Sequence, residues 1–173
     1  MICTIEQLQK YSGVYTDEEN KTQEMYLGAA ENIVENYLGY SPTLKSYKKV
    51  LSGSGFSDLR IGAKPIISLE RVVIDDLEQD LNNYIFDDDS VICKHDIFPK
   101  GRKNIRIDFI AGYETVPELI KLTILRIAAL LMCESDSNIG ITSKSFGDSG
   151  TRVFQNYTNF DKYLLPISCY KLL

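Results

Sequence analysis

The residues most able to do chemistry are one histidine, two clusters of carboxylates and one glycine-rich stretch. His95 is the single histidine, so a Ser-His-Asp or Cys-His arrangement would have to include it. No GxSxG, Walker A or GxGxxG pattern surrounds a candidate partner for it. The sequence therefore favours a solvated loop histidine over a catalytic one and predicts no enzyme.

The carboxylate clusters could supply oxygen ligands for calcium or magnesium. They comprise Asp75, Asp76, Glu78 and Asp80 in the first cluster and Asp87, Asp88 and Asp89 in the second. Neither cluster has the spacing of an EF-hand loop, and adjacent acids between strands usually form solvated turns. A small divalent-metal-binding enzyme or nucleotide-binding domain that uses these clusters remains the alternative function.

The glycine-rich stretch is SFGDSGT, at 145–151, and it lies in a longer polar segment, 134–159. It lacks the basic residue and the flanking strand and helix of a phosphate-binding loop. Five serines and three glycines in 134–159 raise the cost of ordering this segment. We expect it to be a docking loop that becomes ordered on a partner. Its expected contact residues are Ile139, Ile141, Phe146, Val153 and Phe154.

Charge is distributed unevenly along the chain. The net charge is −5, and residues 1–40 contain two basic and seven acidic side chains, whereas the rest is balanced. This argues against ordinary binding of duplex DNA, which needs a basic face. A local basic cluster does occur, formed by Lys94, His95, Lys100, Arg102, Lys103 and Arg106. Within it, we expect Lys100, Arg102, Lys103 and Arg106 to contact an acidic partner or a DNA backbone.

The elements that must position these residues are visible in the periodicity of the sequence. Capping-box spacing predicts a helix at 4–11 (Thr4 and Gln7, with Gly13 after it) and a longer helix from Thr16 and Glu19 to about residue 38. Alternation with a period of two predicts five or six antiparallel strands, most clearly in NIRIDFIA. The predicted fold class is α+β, a small α-helical bundle with an antiparallel β insertion between the N-terminal helices and a central apolar helix.

That central helix is predicted to begin near Thr115, where Glu118 completes a capping-box spacing. Its apolar run, Leu119 to Met132, is 14 residues long and contains Lys121 and Arg126, so it is too short and too charged to cross a bilayer. Leucine and isoleucine cover nearly every side, so we expect a helix buried on most sides. We predict one connector-like domain, 1–173, divided into N-terminal helices (1–40), β insertion (44–112), central helix (115–133), docking loop (134–159) and C-terminal segment (160–173).

The four cysteines, Cys3, Cys93, Cys133 and Cys169, are far apart and have no CxxC spacing. We expect free and mostly buried thiols, and no metal or other cofactor. No secretory signal is recognisable at the start of the sequence, which predicts an intracellular protein.

The order of the segments resembles the head-tail connector, or adaptor, proteins of tailed bacteriophages. The resemblance rests on the segments AAENIVENYLGY, KPIISLERVVI, FPKGRKNIRIDFIAGYETVPELIKLTILRIAALLM and GITSKSFGDSGTRVF, which span nearly the whole chain. The most specific part is the strand that ends in Ala111, Gly112 and Tyr113, followed by Pro117 and the apolar helix.

The resemblance implies a non-enzymatic structural protein of the virion. Proteins of this family form a ring, typically dodecameric, beneath the portal protein at the capsid vertex, and they extend the DNA tunnel towards the tail. The implied partners are identical subunits, the portal, the next head-tail or tail component and passing genomic DNA without sequence specificity, with no membrane. The implied location is the virion neck, and the host cytoplasm during assembly. A host adaptor domain that binds a peptide along a sheet edge is a further alternative.

Overall fold

A computed structural model describes residues 1–15, 20–135, 143–146, 150–153 and 160–172. The described residues contain four α-helices, nine strands and two short 3-10 helices. The helices are α1 (Ile5–Ser12), α2 (Asn20–Leu38), α3 (Glu118–Ser135) and α4 (Asp161–Leu164). The strands are β1 (Lys45–Leu51), β2 (Asp58–Arg60), β3 (Ile66–Ile74), β4 (Leu77–Glu78), β5 (Tyr84–Phe86), β6 (Ser90–Cys93), β7 (Ile105–Ala111), β8 (Ser143–Phe146) and β9 (Gly150–Val153). The predicted α+β class with antiparallel strands is confirmed.

The chain divides into two compact units, a helical unit (Met1–Tyr37 and Glu118–Cys169) and a β unit (Leu38–Pro117 and Tyr170–Leu173). The sequence predicted a single connector-like domain. Whether the two units act as one domain depends on the assembled protein, so this stays a prediction. None of the described helices has the length and apolarity that crossing a bilayer requires.

In the helical unit, the predicted capping box of α1 is present. The Thr4 hydroxyl accepts a hydrogen bond from the Gln7 backbone N–H, and the Gln7 side chain accepts one from the Thr4 backbone N–H. Gly13 closes the helix, and its N–H donates to the Gln9 carbonyl. All these contacts lie within one turn of the two ends of helix α1. The local sequence alone was therefore sufficient to predict them. The capping box predicted at Thr16 and Glu19 lies outside the described residues.

Helix α3 has one buried face, formed by Ile120, Thr123, Ile124, Ile127 and Ala128. The opposite side contains Leu122 and Leu125, which are half-buried, and Leu119, which is 37% exposed. The sequence predicted a helix buried on most sides. In the single chain, fewer sides of the helix are buried than predicted.

The start of α3 also differs from the prediction, because the helix begins at Glu118 and not near Thr115. Pro117 explains the difference, since a residue that precedes proline is disfavoured in the helical conformation. Val116 therefore cannot readily take part in the first turn, and it is buried at 8% exposure instead.

The β unit contains a four-stranded sheet in the order β1-β7-β3-β4 and a three-stranded sheet in the order β2-β6-β5, both antiparallel. The unit has seven strands where alternation predicted five or six, because strands as short as β2 and β4 show too few residues to alternate. The inward residues of β7 were predicted correctly: Ile105, Ile107, Phe109 and Ala111 are all fully buried. They form a core with Phe98, Val91 and side chains of the neighbouring strands.

The motif that follows β7 joins distant parts of the β unit. Gly112 adopts a φ of +113°, and a Cβ there would lie 2.3 Å from the Thr43 carbonyl oxygen, so only glycine fits. The Gly112 N–H donates to the Pro65 carbonyl at 2.9 Å, and the Tyr113 N–H donates to the Pro42 carbonyl at 2.9 Å. The Ala-Gly-Tyr sequence is therefore a structural junction.

Candidate docking surface

Two loops of the β unit, residues 52–56 and 97–104, are bound to each other and are called the double loop below. Backbone bonds join them at Gly55 N to Phe98 O (3.1 Å), Phe98 N to Phe56 O (2.9 Å) and Gly101 N to Gly53 O (3.2 Å). These bonds join the two loops into one structural feature.

Asn104 and Gly53 fix the base of the double loop. The Asn104 side chain accepts from the Gly53 N–H at 3.0 Å and donates to the Pro99 carbonyl at 3.1 Å. The Pro99 carbonyl also approaches Gly53 so closely that a Cβ on that residue would lie 1.9 Å from the oxygen. The chain can therefore make this crossing only with glycine at position 53. Lys103 has a φ of +55°, and its N–H donates to the Ser52 hydroxyl at 2.9 Å.

The double loop presents three cations that form no ion pair with the part of the chain that the structure describes. Lys100, Arg102 and Lys103 are exposed, and their side chains form no ion pair or hydrogen bond with any residue that the structure describes. Arg106, the fourth predicted contact residue, is different, because it lies on β7 and its guanidinium contacts the Asp76 carboxylate at 2.7 Å. Three of the four predicted residues, Lys100, Arg102 and Lys103, thus lie in one loop without an ion pair to a described residue. The fourth, Arg106, forms a salt bridge with Asp76.

Two apolar side chains accompany these cations, and sequence reasoning missed both. Phe56 is 66% exposed and Ile97 is 54% exposed. Their backbone segments are hydrogen-bonded to each other, because the N–H of Phe98, the residue after Ile97, donates to the Phe56 carbonyl. An exposed apolar pair next to unpaired cations is typical of a protein-binding surface. The available signal for Phe56 was an apolar residue directly after the segment SGSG, whereas Ile97 directly precedes FPKG and no local signal marks it.

The remaining members of the basic cluster are exposed loop residues. The Lys94 ammonium donates to the Asn82 carbonyl at 2.6 Å, and His95 is solvent-exposed on the same turn. The described residues contain no group of three or more His, Cys, Asp or Glu side chains that could hold a metal ion.

The first carboxylate cluster has structural roles. Asp75 and Asp76 both have positive φ, at 48° and 65°, and form the two-residue turn of the β3–β4 hairpin. Such a turn needs residues that tolerate the left-handed region, which aspartate does better than most. Glu78 pairs with Arg71 at 2.9 Å, and the Asp80 side chain caps a 3-10 helix by accepting from the Asn82 N–H.

The second carboxylate cluster forms the connection between β5 and β6. The Asp87 carboxylate accepts from the Asp88 N–H at 2.8 Å, and Asp88 lies 3.9 Å from the Lys64 ammonium. Backbone carbonyls of Asp88 and Asp89 accept from Ile66 and Ile61. These acids therefore build a turn that is bonded to the neighbouring strand, which is the structural reading that the sequence favoured.

Two titratable side chains, the half-buried Lys49 and the buried Cys3, donate hydrogen bonds to backbone carbonyls. The Lys49 ammonium donates to the Ile61 and Gly62 carbonyls, at 2.7 Å each, and burial lowers its pKa. Burial also raises the pKa of the Cys3 thiol to about 11, with a smaller contribution from the Glu31 carboxylate. Glu31 accepts hydrogen bonds from the Ile2 and Cys3 N–H groups, which attaches the chain start to α2. All four cysteines are free, but only Cys3 and Cys93 are buried, so the expectation of mostly buried thiols holds for half of them.

The predicted docking loop is described in part. Residues 143–146 and 150–153 form the β8–β9 hairpin, with Phe146 opposite Gly150 and Ser143 opposite Val153. Sequence reasoning did not predict this hairpin, although GDSG between two short polar segments is a turn signal. Ile139, Ile141 and Phe154 lie outside the described residues. The assignment of all five residues to partner binding stays a prediction.

Comparison with known proteins places the chain in a family. The family model described as head completion protein matches residues 1–167. No curated protein matches the chain significantly. The fold, however, is found in solved structures: one chain from the "neck of empty GTA particle computed with C6 symmetry" has a TM-score of 0.66 and 12% identity, over 99% of this chain and 90% of that one.

Two further structures of the gene transfer agent (GTA) give the same result. A chain of the "virion of native gene transfer agent (GTA) particle" has a TM-score of 0.66 and 11% identity, over 99% of this chain and 90% of that one. A chain of the "neck of native GTA particle computed with C12 symmetry" has a TM-score of 0.62 and 11% identity, over 91% of this chain and 85% of that one. At these identities the likeness shows a shared fold. The family match confirms the predicted resemblance and the structural virion role, and because it spans nearly the entire sequence, the chain belongs to the head completion protein family.

Proposed function

We propose that this protein forms a ring beneath the portal protein, joins the capsid to the tail and extends the tunnel through which the genome passes. The observation that carries the proposal is the family match over residues 1–167. The solved structures of similar fold support it, because two of them are particle necks computed with sixfold and twelvefold symmetry. A dodecamer is the expected ring, and the virion neck is its expected location after assembly in the host cytoplasm.

The charge of the chain suits a tunnel component. A net charge of −5 disfavours tight binding to DNA phosphates. Tight binding of duplex DNA needs a basic face that displaces counterions from the phosphates. Like charges also reduce adhesion over a distance of about 8 Å at physiological ionic strength. We infer a passive role towards passing DNA and no catalytic role. The chain acts as a single connector-like domain in this proposal, and 134–159 is its docking loop towards the portal, a neighbouring subunit or the next tail component.

Native mass spectrometry of the purified chain with its portal complex tests the ring. The expected result is a complex with a fixed number of copies of this chain, 12 being the number implied by the family resemblance. Cryo-electron microscopy of the same sample then locates the ring relative to the portal. A chain that stays monomeric both alone and with the portal would contradict the proposed function.

The docking loop has a separate test by hydrogen exchange. Backbone amides in 134–159 should gain protection when the free subunit enters the ring, because five serines and three glycines make ordering costly without a partner. The amides of α3 provide an internal reference. Equal protection of the loop before and after assembly would remove its role in docking and leave the ring itself unaffected.

A further inference from the structure

The surroundings of the double loop carry more basic than acidic charge. Residues 94–106 contain five lysine or arginine side chains and one acidic side chain, Asp96. Two acids from another element also approach the double loop, because Asp75 and Asp76 of the β3–β4 turn line a cavity of about 210 Å³ together with side chains of residues 102–104. Five basic and three acidic side chains leave this region with a net charge of +2.

Only part of the positive charge is neutralised within the chain. Asp76 forms its salt bridge with Arg106, at 2.7 Å. Lys100, Arg102 and Lys103 are exposed and form no ion pair with a described residue. Like charges that are held on one loop repel one another and attract an external anion. The group that complements this surface is therefore anionic.

The same two loops expose apolar side chains. Phe56 and Ile97 belong to segments that are hydrogen-bonded to each other, and Ile97 lies three residues before Lys100. Apolar side chains gain free energy when a partner removes them from water. The phosphate backbone of duplex DNA supplies anions but no apolar surface. A partner that supplies both kinds of group is a protein.

We propose that the double loop docks an acidic segment of another protein, in which carboxylates flank an apolar side chain. The carboxylates bind Lys100, Arg102 and Lys103, and the apolar side chain packs against Phe56 and Ile97. The charges orient the segment, while the apolar contact supplies the area that is removed from water. This contact goes beyond the ring proposed above and does not require it, because all the residues that bind the segment belong to one chain.

The double loop is held in place before any partner binds. Backbone bonds join its two segments, the Asn104 side chain bonds to both of them, and the chains cross closely at Gly53. A surface that is ordered before binding loses little conformational entropy on binding. The double loop therefore suits the capture of a flexible acidic segment.

Duplex DNA and a second copy of this chain are the competing occupants. The β unit contains twelve basic and twelve acidic side chains, so no net positive field extends from it towards DNA. On α1 and α2, the exposed acids Glu6 and Glu24 are balanced by the exposed Lys10 and Lys21. Charge thus favours neither occupant, and both are outcomes of the test.

Fluorescence anisotropy of the full chain with labelled probes tests the proposal. The first probe is a peptide of glutamate and leucine. A glutamate–serine peptide keeps only its charge, a glutamine–leucine peptide keeps only its apolar side chains, and a DNA duplex is the fourth probe. The glutamate–leucine peptide should bind at least about tenfold more tightly than either matched peptide, because it engages both the cations and the apolar pair.

Two double variants assign the binding to the double loop. Lys100→Glu with Arg102→Glu should weaken binding of the glutamate–leucine peptide at least about tenfold, because two attractive charges become repulsive. Phe56→Ser with Ile97→Ser should remove the preference for the glutamate–leucine peptide over the glutamate–serine peptide. Circular dichroism establishes that each variant is folded.

Lys45→Glu with Lys48→Glu is the matched control. It reverses two exposed charges of β1 and gives the same net charge as the charge-reversed loop variant. Lys45 pairs with Ala111, at the end of β7 that is farther from the double loop. Binding of the glutamate–leucine peptide by this control should stay within about twofold of the unmodified chain.

Several results would overturn the proposal. They include equal binding of the three peptides, no binding of any peptide, or unchanged binding by the charge-reversed loop variant. Tighter binding of the DNA duplex, lost in that variant, would assign the double loop to phosphate. Self-association in sedimentation velocity that the same variant abolishes would identify a second copy as the occupant. Ring formation with the portal is measured separately by native mass spectrometry, so failure of this contact is distinct from failure of the proposed function.

Discussion

Gly53→Ala is the most informative single substitution in the β unit. The added Cβ would lie 1.9 Å from the Pro99 carbonyl oxygen and 3.1 Å from the Ile105 Cδ1. Because the closest atom belongs to the backbone, a side-chain rotation cannot relieve the overlap, and the two segments of the double loop must separate. Overpacking of this kind costs about 1–3 kcal/mol. Loss of the bond from the Gly53 N–H to Asn104 adds about 1 kcal/mol.

The expected decrease in the free energy of unfolding is therefore about 2–4 kcal/mol. With a urea m-value of about 2 kcal/mol/M, the midpoint of unfolding should fall by roughly 1–2 M. Far-UV circular dichroism can follow the transition. Hydrogen exchange should show lost protection around residues 53 and 101, whose backbones are bonded to each other.

Gly28→Ala is the matched control for this prediction. Gly28 lies within α2, and a Cβ there would meet no atom within 4 Å. The alanine should stabilise the helix by up to about 1 kcal/mol, because glycine is that much less favourable in a helix interior. The same chemical change thus has opposite expected signs at the two positions. If Gly53→Ala unfolds at the same urea concentration as the unmodified chain, the inferred close crossing of the two loops is wrong.

Three further predictions concern the buried groups. A thiol reagent at neutral pH should modify Cys133 and Cys169 quickly and Cys3 and Cys93 slowly, and four equal rates would contradict the burial of the last two. Since the folded state raises the pKa of the Cys3 thiol to about 11 from an ordinary value near 9, the stability that Cys3 contributes should be complete below pH 9 and be lost as the pH rises to 11. Cys3→Ala should remove that part of the pH dependence, and an unchanged pH profile would refute its assignment. Phe109→Ala should cost about 3–5 kcal/mol in urea unfolding, because this fully buried ring leaves a cavity, and a loss below 1 kcal/mol would contradict that packing.

Features set by neighbouring residues could be predicted from the sequence. The α1 capping box depends on Thr4 and Gln7, three positions apart, and the buried face of β7 follows from alternation over seven residues. The class of fold also follows from these local periods. The predicted start of α3 was wrong for a reason that is also local. The capping pattern of Thr115 and Glu118 indicates an earlier start, but Pro117 disfavours the helical conformation at Val116.

Features set by distant pairing could not be predicted. The double loop depends on bonds between Gly53 and Asn104, which are 51 residues apart, and nothing in either segment specifies its partner. The environment of Lys49 could not be predicted either, since a lysine on an edge strand is ordinarily expected to be exposed. Its partial burial is tolerated because two carbonyls, from Ile61 and Gly62, accept hydrogen bonds from its ammonium. Tertiary contacts thus override local interpretation at these positions.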